Sequence, residues 1–180
     1  MRLTTILVTA MVLVTFCGAP AAAQVRGRMS EVGVEGAFDR ANDEFSARAT
    51  RIDFDGSYGF FITDRLEIGP TFSFVKTAND DARSAISGFV DFHLGDTAGQ
   101  AVPYVEAAYG QVFGDDPFWT DPTFASASAG VKWFFGDGGG ALNLSAFYQR
   151  TFFDVGGAPN FATGINTIGA KVGVAIYFGR

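Results

Sequence analysis

Thr167-Ile168-Gly169-Ala170-Lys171-Val172-Gly173-Val174-Ala175-Ile176-Tyr177-Phe178 decides the fold. Ile168, Ala170, Val172, Val174, Ile176 and Phe178 share one parity, while Thr167, Gly169, Lys171, Gly173, Ala175 and Tyr177 share the other. Successive side chains of an extended chain point to opposite faces, so this stretch predicts a strand with one apolar and one mixed face.

Working back from it, the same period of two recurs. Leu142 to Phe153 predicts a seventh strand, separated from the last by a loop, Asp154 to Gly164. Phe124 to Phe135 predicts a sixth, with Val131, Trp133 and Phe135 opposite Ser126, Ser128, Gly130 and Lys132. The run Gly136-Asp137-Gly138-Gly139-Gly140 after it is a strong turn signal. A fifth strand spans Val102 to Phe113, and Gly114 to Pro122 forms the loop that follows it. The fourth carries Ile86, Gly88, Val90, Phe92 and Leu94 against Ser87, Phe89, Asp91 and His93, and Gly95 to Ala101 turns back from it. Leu66 to Val75 predicts a third strand, weakened by Pro70, which cannot donate to a ladder. Ser46 to Phe60 predicts the second and Met29 to Phe38 the first. No helical period competes in residues 24–180.

Met1 to Ala23 reads as a cleaved signal peptide: Arg2 is the positive region, Leu3 to Phe16 the apolar region and Ala21-Ala22-Ala23 the cleavage site. Gln24 to Arg180 is then the folded domain. Cys17 is the only cysteine, and Phe16 stands where a lipoprotein signal needs a small residue, so lipidation is not expected. Without Cys17 the domain has no thiol chemistry and no disulfide. The net charge of −6 disfavours nucleic acid as a partner. Hydrophobic residues make up 48% of the chain but lie in short alternating pieces, which suits a barrel wall better than a packed globular core.

Tyr58 to Gly69 resembles the short turn of the small outer-membrane β-barrel family of OmpA-like and OmpX-like proteins. Pro103 to Gly110 and Ala129 to Phe135 are similar to its fifth and sixth strands. Lys171, Gly173, Ile176 and Phe178 resemble its C-terminal assembly signal, with Gly179 and Arg180 extending past it. The resemblance implies an all-β, eight-stranded, antiparallel up-and-down transmembrane barrel in a Gram-negative outer membrane. It also implies a monomer with both termini in the periplasm, outer-membrane lipid and lipopolysaccharide around it, and the barrel-assembly machinery as a partner in biogenesis. A sheet crosses hydrocarbon only when it closes on itself, so the last strand is expected to pair with the first.

On the mixed faces, Glu35, Arg51, Asp53, Glu106, Lys132 and Lys171 form a candidate lumen charge network. Lys171 is expected beside Glu35 and Lys132 beside Glu106. Such a network, in a lumen that side chains fill, argues against a general porin. His93, the single histidine, shares the inward face with Asp91 and is expected to be a satisfied interior residue. Asp43-Glu44, Asp80-Asp81, Asp115-Asp116 and Asp121 gather acid in the loops but lack the spacing of a calcium motif. Phe118-Trp119 reads as part of an interfacial aromatic belt. No catalytic, cofactor or metal residue is assigned. The expected role is structural or in surface interaction, with a lipid-A-modifying enzyme and a soluble lipocalin-type barrel as alternatives.

Overall fold

The computed structural model describes residues 26–42, 51–77, 82–114, 122–135, 139–155 and 158–179. The expected signal peptide, the acidic loop residues named above and Phe118-Trp119 lie outside these. The strands are β1 (Ser30–Asn42), β2 (Arg51–Phe61), β3 (Leu66–Thr77), β4 (Arg83–His93), β5 (Ala101–Phe113), β6 (Thr123–Phe135), β7 (Gly140–Val155) and β8 (Ala158–Phe178). Each pairs antiparallel with its sequence neighbours. β8 also pairs with β1, from Ser30↔Phe178 through Ala37↔Lys171, and closes the barrel.

Two departures from the expected strands have local causes. Asp154 to Gly164, expected as a loop, instead continues the β7–β8 ladder to Val155↔Ala158, past a register shift between Phe152 and Phe153. Its Gly and Pro content reads as loop, but a hairpin stem satisfies backbone amides whatever its side chains, and the bulge absorbs the surplus residues. Pro70 does not break β3: it pairs with Gly88 of β4, while on the β2 side the ladder lapses between Ser57↔Thr71 and Phe60↔Ile68. A missing N–H interrupts one side of a strand only.

The parity of the sequence becomes the two faces of the wall. Ile168, Val172, Val174, Ile176 and Phe178 are exposed on the outside, whereas Thr167, Gly173, Ala175 and Tyr177 are buried in the lumen. Across the barrel the outward positions are apolar along the whole wall, aliphatic at Val34, Ile68, Val90 and Leu144 and aromatic at Phe72 and Tyr109 as well as toward the ends. Phe60, Phe92, Trp133, Phe135 and Phe178 ring the short-turn end, while Phe38, Phe54, Phe74 and Phe113 lie toward the other. Exposed apolar surface on this scale needs an apolar surround. An apolar outer wall with aromatic residues toward both rims fits a bilayer. The lipocalin alternative is thereby overturned, because it needs the apolar faces inside and here the charges are inside.

Candidate functional site in the lumen

The lumen is built in tiers that follow strand register. At the short-turn end Phe61, Val102, Phe134, Ala141, Ala175 and Tyr177 form a buried apolar cluster. The rings of Phe134 and Tyr177 lie 5.0 Å apart, and those of Phe61 and Tyr177 6.1 Å. Phe61, Val102, Phe134, Ala141 and Tyr177 occupy the inward positions nearest the short-turn ends of their strands, with Ala175 one inward position further along β8, and together they plug that end.

Directly above the plug stands Lys132. Its Nζ lies 2.7 Å from Glu31 Oε2, 2.9 Å from Glu67 Oε2 and 3.0 Å from Asp91 Oδ2. The three carboxylates come from β1, β3 and β4, so one ammonium reaching from β6 ties four strands together across the lumen. The ammonium also lies 5.3 Å above the Tyr104 ring. Gly59 makes room for this arrangement: a Cβ there would collide with the Glu67 carboxylate. His93 is wholly enclosed, edge-on to Phe61 at 5.2 Å, with Nε2 3.4 Å from Asp91 Oδ2. Its Nε2 also lies 3.8 Å from Glu67 Oε2, so the expected interior histidine is enclosed and faces two carboxylates, although neither ring nitrogen has a well-aligned hydrogen-bond partner among the described residues. Glu67, Asp91 and His93 could converge on a cation, but Lys132 already supplies one to the same two carboxylates.

A second tier follows. Lys171 Nζ lies 2.7 Å from Asp55 Oδ2, Asn143 donates through Nδ2 to Glu35 Oε1 at 3.2 Å, and Ser128 Oγ donates to Glu106 Oε1 at 3.4 Å. The expected pairings are therefore corrected. Lys132 engages Glu31, Glu67 and Asp91 instead of Glu106, and Lys171 engages Asp55 instead of Glu35. The reason is register: Lys171 faces Ala37 across the β1–β8 seam and Glu35 faces Gly173, so Glu35 is displaced by two positions. Asp53 is buried on the inward face with a partner, and the Arg51 side chain lies outside the described residues.

Beyond this tier the described side chains do not fill the lumen, which corrects the expectation of a filled tube. A cavity of about 270 Å³ extends toward the strand ends at Val75, Arg83 and Pro122, away from the short turns. Small inward residues leave the space: Ser57, Ser73, Ala85, Ser87, Ala108 and Ser126 line it. The lumen is thus a cup, closed at the short-turn end and hollow toward the other. Glu31, Asp55, Glu67, Asp91 and Asn143 carry the contacts that sequence reasoning left out of the network. Their inward parity was legible, but which inward residues meet across the tube depends on strand stagger.

No protein-family model matches the sequence, and no curated protein matches it significantly. Solved structures do resemble it. The N-terminal β-barrel domain of Pseudomonas aeruginosa OprF superposes with a TM-score of 0.55 at 20% identity, covering 85% of this chain and 99% of that one. Neisserial surface protein A gives 0.58 at 16% identity, covering 83% and 97%. Ail, the attachment invasion locus protein of Yersinia pestis, gives 0.53 at 12% identity, covering 84% and 99%. With the closed eight-stranded topology, the apolar exterior and the charged interior, these likenesses establish that the chain has the fold of the small outer-membrane β-barrels.

Proposed function

We propose that this protein is an integral outer-membrane barrel with a structural or surface-interaction role, both termini periplasmic, and no general diffusion activity. The observation that carries this reading is the combination of an apolar outer wall with a lumen plugged by Phe61, Phe134 and Tyr177 beneath the Lys132 tier. A solute path meets first a charged constriction and then an apolar one. The short turns at 62–65 and 94–100 lie on the same side as the first and last described residues, Arg26 and Gly179, an arrangement that fits termini and short turns in the periplasm. Surface roles fit the names of two similar proteins, a surface protein and an attachment invasion locus protein. A lipid-A-modifying role fits less well: the one histidine is buried against the plug, at the end away from the outer leaflet in this orientation.

The test is fractionation followed by planar-bilayer recording. The protein is expected in the outer-membrane fraction, and the purified barrel is expected to show no large, stable conductance. Porin-sized currents from the unmodified protein would overturn the reading.

A further inference from the structure

The hollow half of the lumen has an unbalanced wall. Among the described side chains, seven carboxylates line the cavity, in Glu31, Glu35, Asp53, Asp55, Glu67, Asp91 and Glu106, against the three cations Arg83, Lys132 and Lys171. Lys132 is committed to the lower tier and Lys171 to Asp55. Among the described residues, Glu35 and Glu106 receive hydrogen bonds from the neutral donors Asn143 and Ser128, and neither carboxylate makes an ion pair. Two further acceptors on the same cavity are buried and unpartnered, Asn143 Oδ1 and Asp91 Oδ1, on residues 4% and 1% exposed. Buried acceptors without donors are costly, and uncompensated buried charge more so. Both unpartnered atoms on the described wall are acceptors, so the wall lacks a donor, and its surplus of carboxylates favours a cationic one.

The rest of the wall says what kind of cation fits. Phe89, Phe124 and Phe147 line the same cavity, and Lys171 Nζ already stands 5.6 Å over the Phe147 ring. Aromatic faces attract organic cations and offer apolar contact, whereas a bare divalent ion gains nothing from them and requires several oxygen ligands. At about 270 Å³ the space falls just below the roughly 300 Å³ at which drug-sized pockets begin, so the guest must be small.

We propose that the cavity binds a small organic cation, a primary ammonium with a compact apolar body. The ammonium engages Glu35, Glu106 and Asn143 Oδ1, and the body lies against the phenylalanines. The site depends only on the lumen geometry, so its failure would leave the outer-membrane assignment untouched.

The experiment titrates the folded full-length protein in detergent micelles with phenethylammonium chloride, using phenethyl alcohol as the neutral match and calcium chloride as the hard-cation control. Phenethylammonium is expected to bind saturably at one site, while the alcohol and calcium do not. Glu35→Gln and Glu106→Gln should each weaken binding at least tenfold, with folding checked by heat-modifiable mobility. Should either variant not fold, nuclear Overhauser contacts between the Asn143 side-chain amide and the probe's ring in the unmodified protein decide the matter. Absent contacts, equal binding of the alcohol, saturable calcium binding in place of the ammonium, or binding indifferent to both substitutions would each overturn the proposal.

Discussion

Lys171 on β8 reaches over β1 to Asp55 on β2, with Nζ 2.7 Å from the carboxylate oxygen. The bridge joins strands that share no ladder, so it constrains the barrel's cross-section in a way that backbone hydrogen bonds cannot. Lys132 does the same over a longer span. The two lysines differ in enclosure: the Lys132 side chain is 4% exposed and that of Lys171 is 22%.

That difference sets a first prediction. Lys132→Met leaves three buried carboxylates around an apolar side chain, and breaking a buried ion pair from one side typically loses about 3 to 5 kcal/mol. Lys171→Met strands one carboxylate beside a hollow that can admit water, so its loss is expected to be smaller. Urea unfolding of the refolded variants in lipid vesicles checks the order. A Lys171→Met barrel less stable than Lys132→Met would place the main strut in the wrong tier.

The glycines make a second, sharper distinction. Gly59 faces the lumen where a Cβ would run into the Glu67 carboxylate, whereas Gly56 faces outward with nothing within 4 Å of such a Cβ. Gly59→Ala must push Glu67 off Lys132, and overpacking of this kind costs about 1 to 3 kcal/mol. Gly56→Ala is expected to be neutral or slightly stabilising, since glycine in a strand carries excess unfolded-state entropy. Folded yields and urea midpoints of the pair should separate clearly.

Phe178 lies on the lipid-facing side of β8, 46% exposed in the isolated chain, its ring centroid 6.4 Å from that of Tyr58. Phe178→Asp is expected to lower the membrane-inserted yield far more than Arg180→Asp, because position 178 combines the terminal aromatic of the proposed assembly signal with a place in the interfacial girdle. Equal yields from the two variants would sink the assignment of Lys171, Gly173, Ile176 and Phe178 as that signal.

Orientation is tested separately. An epitope inserted after Asp116 should be reachable on intact cells, and one inserted at Gly138 should be reachable only after the outer membrane is permeabilised. Labelling at Gly138 on intact cells would invert the barrel.

The wall was legible in the sequence and the lumen only partly so, for one physical reason. Parity along a strand is a local property: Val172 outward and Lys171 inward follow from the pleat alone. Closure of β8 on β1 followed from the need to leave no edge in hydrocarbon. Which charges meet is not local. Lys132 finds Glu31, Glu67 and Asp91 because tilt and stagger bring strands β1, β3, β4 and β6 to a common height, and no spacing within any one strand encodes that. The hollow was missed because eight strands were taken to enclose no spare volume, whereas Ser57, Ser73, Ser87, Ala108 and Ser126 are too small to fill their share.

The last prediction concerns the two closures of the lumen, which stand in series. Phe134 is fully enclosed, its ring tilted against that of Tyr177, so Phe134→Ala opens the apolar plug and is expected to cost about 3 to 5 kcal/mol. It should not make a pore, because Lys132 with its three carboxylates still spans the tube one tier higher. Lys132→Ser alone removes the span but leaves the plug, and an apolar constriction can exclude water without any charge. Only the double variant Phe134→Ala with Lys132→Ser removes both, and single-channel recording should then show small, flickering, cation-preferring currents, since the remaining wall is rich in carboxylates. If Phe134→Ala alone conducts as well as the double variant, the ionic tier is no barrier and the aromatic plug closes the barrel unaided.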